Sequence, residues 1–171
     1  MVLLRPTVLV VEDDPDTRGL VQELLESAGY VVETAADGAA ARAALATGGI
    51  DIVVLDQMLP LIHGLELCRL IRGQPSERYL PIIMITALSG ERHRQNALAA
   101  GADVYMTKPL DIDELLYVVD RWATVCERRR AARVERIALM AEDRAAGPRD
   151  PGDPPAVGPR AFRNSAGFPG R

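Results

Sequence analysis

The chain has 171 residues, of which 48% are apolar, 26% charged and 4% aromatic, with a net charge of −4. This apolar share suffices for a hydrophobic core and excludes a wholly disordered chain, while the lack of an apolar run near roughly 18 residues argues against a membrane-spanning helix. The two cysteines, Cys68 and Cys126, are too few for a disulfide framework and disfavour a cysteine zinc site, so we expect a cytoplasmic protein.

Short apolar runs alternate with segments of helical spacing along the first two thirds of the chain. The predicted strands are residues 7–11, 31–35, 52–55, 81–85 and 104–106. The first, third and fourth runs are nearly unbroken, as in strands buried on both faces of a parallel sheet. The run at 31–35 is more mixed, which is typical of an edge strand.

Five predicted helices separate or follow these strands. The first begins at Asp14, a capping residue followed by Pro15 in the first turn. The others run from Asp37 to the glycines at 48–49, from Gly64, from near Ser89 to Gly101, and from Asp111. This alternation predicts an α/β fold with a doubly wound parallel sheet, in which chemistry lies past the carboxyl ends of the strands.

Polar residues follow four of the predicted strands. They are Glu12, Asp13 and Asp14 after the first, Asp56 after the third, Thr86 after the fourth, and Lys108 after the fifth. Taken singly, each fits an ordinary helix cap or turn. Taken together they form one site, because parallel strands end at a common edge. Clustered carboxylates favour Mg²⁺ or Mn²⁺, and a metal beside a carboxylate, a hydroxyl and an ammonium suits a phosphoryl group.

Four motifs make residues 5–123 resemble the receiver domain of bacterial two-component response regulators. They are VLVVEDDP at 8–15, DIVVLDQMLP at 51–60 followed by Gly64, PIIMITA at 81–87, and GADVYMTKP at 101–109. The resemblance implies a flavodoxin-like fold with five parallel strands in the order 2-1-3-4-5. It also implies a switch that accepts a phosphoryl group from a sensor histidine kinase or a histidine phosphotransfer protein.

The same resemblance implies a role for each residue of the acidic edge. Asp56 would be the phosphoacceptor, and Glu12, Asp13 and Asp56 would hold Mg²⁺ together with the backbone carbonyl of Met58. Asp14 matches no functional position of the family and is interpreted as a helix cap. The protein would assist its own phosphorylation without turning over an external substrate, and so would not be an enzyme in the usual sense.

The remaining implied roles belong to the switch. Thr86 would bond a phosphoryl oxygen, and Lys108, in a cis peptide bond to Pro109, would pair with the phosphoryl group. Thr86 and Tyr105 would then move together and reshape the face formed by helix four, strand five and helix five. A downstream protein or a second copy of the chain would bind that face.

Three residues depart from the family pattern. Leu110 replaces a frequent phenylalanine, which we interpret as a packing change. Met58 and Leu88, two positions after Asp56 and Thr86, are apolar side chains that cannot orient an attacking water. We therefore expect the phosphoryl group to be lost slowly by hydrolysis.

The last third of the chain differs in composition. Residues 111–146 lack Pro and Gly, which permits a helix of 30 or more residues, and we interpret 124–146 as a basic, solvated helical extension. Residues 147–171 hold six Pro and five Gly and are predicted to be disordered. About 48 residues after the receiver region are too few for a DNA-binding output domain. We therefore expect a stand-alone receiver.

Two other function classes stay open. One is a DNA-binding regulator that uses the arginines at 128–130, although residues 1–123 carry 18 acids against 10 bases, which argues against nucleic acid as a partner. The other is a Mg²⁺-dependent phosphatase with an aspartyl-phosphate intermediate, which the absence of a carboxylate two residues after Asp56 disfavours.

Several further side chains are interpreted structurally. His63 and His93 are predicted to be solvated, and Cys68 is assigned to the core. Cys126 lies where the apolar stripe of the fifth helix thins, which favours an exposed position. Trp122 is expected to pack on that helix, with a partner interface as the alternative.

Overall fold

The structure, a computed structural model, describes residues 5–74 and 79–145. The strands are β1 (Thr7–Val11), β2 (Val31–Ala35), β3 (Ile52–Asp56), β4 (Ile82–Thr86) and β5 (Val104–Thr107). The helices are α1 (Pro15–Ser27), α2 (Gly38–Thr47), α3 (Gly64–Gly73), α4 (Glu91–Ala100) and α5 (Ile112–Ala145). The segment predicted to be disordered, 147–171, lies outside the described residues.

All neighbouring strands pair in parallel, in the order β2-β1-β3-β4-β5, which confirms the predicted topology. The strands β3 and β4 extend one residue beyond the apolar runs, so Asp56 and Thr86 are their last residues. Asp56 lies opposite Ile85, and Thr86 opposite Thr107. The register therefore brings the polar end of each central strand to the same edge of the sheet.

The core has two layers, one on each face of the sheet, because side chains alternate along each strand. Leu9, Val53 and Leu55 pack under α2, α3 and α4, whereas Val10 and Val54 pack under α1 and α5. The strands β1, β3 and β4 are buried along nearly their whole length, and β2 exposes several residues at the sheet edge. Both predictions are confirmed.

The predicted helix caps are mostly confirmed. The carboxylate of Asp14 accepts a hydrogen bond from the Thr17 N–H at 2.8 Å, and Asp111 accepts one from the Glu114 N–H at 3.0 Å. Helix α4 begins at Glu91, two residues after Ser89, and Gly90 takes the capping position with a positive φ.

The helix α5 has 34 residues, in line with the predicted length. Contacts divide the chain into two compact units, the first ending at Ala132 and the second beginning at Arg133. Among the described residues of the second unit, Val134, Ile137, Leu139 and Met140 are exposed. No helix in the described part of the chain is long and apolar enough to cross a lipid bilayer.

The prediction that Cys126 is exposed is wrong. Its side chain is buried against the core, and its Sγ lies 3.5 Å from the carbonyl oxygen of Asp51. One turn further, the Arg130 guanidinium donates to the Asp51 carboxylate at 2.9 Å. The first part of the arginine-rich segment thus packs against the amino end of the sheet, because a buried carboxylate there attracts a cation.

The structure also locates the other cysteine, the two histidines and the tryptophan. Cys68 is fully buried, as predicted, and His63 is exposed, whereas His93 is half-buried on α4. Trp122 is half-buried among the core residues beneath α5, and its ring stacks on Tyr79 with centroids 6.2 Å apart. A packing role for Trp122 is confirmed.

Candidate functional site

Three acidic side chains meet at the carboxyl edge of the sheet. Glu12 and Asp13 follow β1, Asp56 ends β3, and one carboxylate oxygen of each lies within 4.8 Å of those of the other two. Glu12 and Asp56 are buried, each 5% exposed, whereas Asp13 is exposed. Like charges this close repel one another, so the cluster favours binding of a cation.

Lys108 brings a positive charge to two of these carboxylates. It follows β5, and its Nζ donates to Asp56 Oδ2 at 2.7 Å and to Glu12 Oε2 at 2.8 Å. The peptide bond from Lys108 to Pro109 is cis, which confirms that prediction. Lys108 is the one lysine in the chain, where the other 19 basic residues are arginine. A compact ammonium bridges these two carboxylates as a point charge, a geometry that differs from the planar fork of a guanidinium.

The site perturbs the pKa values of two of its groups. Burial raises the pKa of Glu12 above its ordinary value, and the hydrogen bond from Lys108 only partly offsets this while the charge of Asp56 adds to it. Burial acts to lower the pKa of Lys108, but its hydrogen bonds to Asp56 and Glu12 outweigh burial and raise it. The ammonium is therefore charged at neutral pH.

The backbone after β3 packs closely around Asp56. The Met58 N–H donates to Asp56 Oδ1 at 2.8 Å. The Met58 side chain itself is half-exposed beside the site. Gly64, the first residue of α3, donates its N–H to the Gln57 carbonyl at 3.0 Å. A Cβ atom at position 64 would lie 2.3 Å from the Asp56 carbonyl oxygen, so only glycine permits this close approach.

Thr86 and Tyr105 are joined through one residue. The Thr86 side chain is fully buried, and its Oγ1 accepts a hydrogen bond from the Leu88 N–H at 3.1 Å. The Tyr105 hydroxyl donates to the Leu88 carbonyl oxygen at 2.8 Å. Ala87, between Thr86 and Leu88, is exposed. The backbone of Leu88 therefore connects the two side chains for which the family resemblance implies a switch role.

The structure thus brings together Glu12, Asp13, Asp56 and Lys108, and places Thr86 at the end of the adjacent strand. Sequence analysis missed Arg18, whose guanidinium donates to the carbonyl oxygens of both Glu12 and Asp13. Nothing in the spacing of the chain signals this contact, because an arginine in the first turn of a helix is ordinarily a solvated residue.

The residues present fit a hard divalent cation. The cluster offers carboxylate oxygens from three side chains, one of them exposed, and no sulfur or imidazole ligand lies among them. This donor set suits Mg²⁺, which prefers oxygen ligands and keeps several of its waters.

Comparison with known proteins agrees with this geometry. Residues 8–120 match the family model of the response regulator receiver domain. The chain is 44% identical over 108 residues to the transcriptional regulatory protein TcrA of Mycobacterium tuberculosis, a match that covers 63% of this chain and 42% of TcrA. It is 41% identical over 111 residues to the phosphate regulon regulator PhoB of Rhizobium meliloti, covering 65% of this chain and 49% of PhoB. The chain thus spans less than half the length of these curated relatives.

Solved structures give the same result. The chemotaxis protein CheY4 of Vibrio cholerae superposes with a TM-score of 0.64 at 33% identity, over 68% of this chain and 98% of CheY4. The Francisella response regulator 1452 receiver domain superposes with a TM-score of 0.65 at 31% identity, over 72% of this chain and 98% of that domain. With its sheet order, its acidic edge and its sequence in agreement, the chain belongs to the response regulator receiver domain family of two-component signalling.

Proposed function

We propose that this protein accepts a phosphoryl group from a histidine kinase or a histidine phosphotransfer protein onto Asp56, and that this modification switches its α4-β5-α5 face. The observation that carries the proposal is the position of Asp56. Its side chain is only 5% exposed, yet it lies between the Lys108 ammonium and two further carboxylates, at the edge where α/β sheets carry their chemistry.

The proposed reaction is an in-line transfer. An oxygen of Asp56 attacks the phosphorus of a phosphohistidine, an O–P bond forms, and the N–P bond breaks with its electron pair returning to the imidazole of the donor. Lys108 already contacts Asp56 Oδ2, so its ammonium is placed to pair with a phosphoryl oxygen that arrives there. The chain assists its own modification, and no external substrate is turned over.

The acidic edge would hold Mg²⁺ through Glu12, Asp13 and Asp56, with the backbone carbonyl of Met58 as a further ligand. When bound, the metal neutralises charge on the transferring phosphoryl group. One oxygen of Glu12 accepts a hydrogen bond from the Lys108 ammonium. Lys108 therefore contacts both a proposed metal ligand and Asp56, the proposed phosphoacceptor.

The switch follows from the Leu88 link. When the Thr86 hydroxyl turns to donate to a phosphoryl oxygen, it releases the Leu88 N–H. The carbonyl of that same residue holds the Tyr105 hydroxyl, so the two side chains rearrange together. Tyr105 lies on the edge strand β5 between α4 and α5, and its movement changes the surface offered to a downstream protein or a second copy of the chain.

A cavity beside the site supports docking of a phosphodonor protein. It has a volume of about 340 Å³ and is lined by Asp56, Lys108 and apolar residues of α1 and the start of α5. Leu110, one of the three departures from the family pattern, also lines it. Leu20 and Ile112 on its rim are 57% and 44% exposed, so a partner that brings its phosphohistidine to Asp56 would cover them.

The test is an intact mass spectrum after incubation with a small phosphodonor such as acetyl phosphate, with Mg²⁺ and with EDTA. We expect a Mg²⁺-dependent gain of one phosphoryl group in the wild type and none in Asp56→Asn. The matched control is Asp51→Asn, which removes a carboxylate of similar burial at the opposite edge of the sheet. A folded wild type that gains no mass, or an Asp56→Asn variant that still gains it, would refute the proposal.

DNA binding is the alternative, because some relatives are named for it. The DNA-binding regulator RpaA of Synechocystis is 37% identical over 111 residues, but the match covers only 46% of RpaA. Exposed arginines of α5, such as Arg128, would be the contacts in this chain. A mobility shift that weakens steeply with salt would support this alternative, since phosphate contacts release counterions.

A further inference from the structure

Arg18 is tied to the backbone of the acidic edge from the first turn of α1. Its Nη1 donates to the carbonyl oxygen of Glu12 at 2.8 Å and to that of Asp13 at 3.1 Å. The side chain is half-buried, and the backbone N–H of Arg18 donates to the Asp14 carbonyl oxygen at 2.9 Å. One nitrogen thus binds two of the three residues that join β1 to α1, the two that carry clustered carboxylates.

These bonds restrain a loop that leaves the sheet. The Glu12 N–H still pairs with the Ala35 carbonyl of β2, but β1 ends at Val11 and the chain then turns into α1. Mutual repulsion of Glu12, Asp13 and Asp56 acts to push this short loop away from β3, and the Lys108 ammonium, which contacts Glu12 and Asp56 but not Asp13, offsets only part of it. A donor fixed to a helix and bonded to both carbonyls limits that movement.

We propose that Arg18 is a positioning residue for the divalent cation: it holds the Glu12–Asp13 backbone so that both carboxylates stay directed at Asp56. The inference rests on the proposed function of the acidic edge and extends it to a residue whose guanidinium contacts the backbone carbonyls of that edge. Removal of a group that orients metal ligands commonly weakens metal affinity by about 10- to 100-fold.

If only the charge of Arg18 mattered, its removal would change the Mg²⁺ affinity in the opposite direction. A guanidinium near a cation site repels the cation, so removal of its charge should strengthen Mg²⁺ binding if Arg18 acted only through its field. Removal of its hydrogen bonds should weaken binding if Arg18 acts by positioning. The direction of the change therefore separates the two roles.

The experiment is equilibrium Mg²⁺ binding by isothermal titration calorimetry, without phosphodonor, for the wild type, Arg18→Met and Arg18→Lys. The matched control is Arg69→Met, which removes the same charge from an exposed position on α3. We expect about tenfold weaker binding in Arg18→Met and no change in Arg69→Met. Arg18→Lys should show a smaller but measurable loss, because the ammonium can still donate but its side chain is shorter.

A second measurement uses phosphorylation by acetyl phosphate at increasing Mg²⁺. In Arg18→Met, half of the maximal rate should need more Mg²⁺ than in the wild type, but the rate at saturating Mg²⁺ should equal the wild-type rate. This pattern distinguishes a residue that positions the metal ligands from one that takes part in the transfer itself.

Each outcome decides the matter. Binding by Arg18→Met as tight as in the control, or tighter, overturns the inference while the proposed function stands. A wild type that neither binds Mg²⁺ nor gains a phosphoryl group overturns both. If Arg18→Met does not fold, Arg18→Lys decides alone: weaker Mg²⁺ binding with an unchanged saturated rate supports positioning, and wild-type affinity overturns it.

Discussion

Carboxylates lie at both edges of the sheet, but their hydrogen-bond and charge partners differ between the two edges. At the amino edge, Asp51 is 2% exposed and accepts from the Thr7 N–H at 2.9 Å and from Arg130 at 2.9 Å. Also at this edge, Asp103 accepts from the Ile82 N–H at 2.7 Å and from Arg72 at 2.8 Å. Each carboxylate there has its own backbone donor and its own guanidinium.

At the carboxyl edge, three carboxylates lie together and one ammonium contacts two of them. Lys108 reaches Glu12 and Asp56, but Asp13 forms no ion pair among the residues that the structure describes. A buried carboxylate is thus compatible with a purely structural role when its charge is matched, as at Asp51. Where negative charge is in excess, as at the carboxyl edge, the cluster favours binding of a cation.

Addition of Mg²⁺ should produce the largest change in stability, and it should act through the carboxyl edge and not the amino edge. At a concentration of 100 times its dissociation constant, we expect Mg²⁺ to raise the free energy of unfolding by about 2.7 kcal/mol, because the proposed site at the carboxyl edge exists only in the folded state. Urea denaturation with Mg²⁺ and with EDTA measures this. The increment should persist in Asp51→Asn and shrink in Asp13→Asn, and an equal increment in both variants would contradict the assignment of the two edges.

The substitution Asp51→Asn should lower the free energy of unfolding by about 2 kcal/mol, because it breaks a buried ion pair whose partner, Arg130, keeps some access to water. Phosphorylation of Asp56 should be unaffected. Urea denaturation and intact mass spectrometry on the same sample check both. A loss of phosphorylation with stability retained would mean that the amino edge is coupled to the site.

The substitution Asp13→Asn should raise the free energy of unfolding in EDTA by about 1 kcal/mol, because it relieves repulsion at the carboxyl edge. The control is Asp16→Asn, which removes an exposed acid from the first turn of α1. That change should be slightly destabilising, since an acid near a helix N-terminus is favourable. Thermal unfolding of the two variants at low salt should therefore shift in opposite directions.

The smallest expected effect concerns the lifetime of the phosphoryl group. Met58 is half-exposed beside Asp56 and offers no group that orients water, so Met58→Asn should speed hydrolysis several-fold. The decay of the phosphorylated species, followed by mass spectrometry, measures this, with Met58→Leu as the apolar control. Equal half-lives in all three proteins would show that this position does not control access of water.

The sequence predicted which residues meet at the carboxyl edge but not which meet at the amino edge, although both sets of contacts join distant residues. Lys108 and Asp56 are 52 positions apart, yet the order of strands and the rule for their carboxyl ends bring them together. Arg130 and Asp51 are 79 positions apart, and no such rule applies to them. Their contact depends on how far α5 continues along the sheet.

Local patterns therefore determined the strands, most helix ends and the polar residues after each strand, because periodicity and capping act over a few residues. The resemblance to receiver domains added the order of the strands and the roles of the site residues. Only the tertiary structure decided that Cys126 is buried, that Leu88 joins Thr86 to Tyr105, and that Arg18 holds the acidic loop. These contacts depend on the reach and direction of single side chains and backbone groups, which are set by packing and leave no periodic trace in the chain.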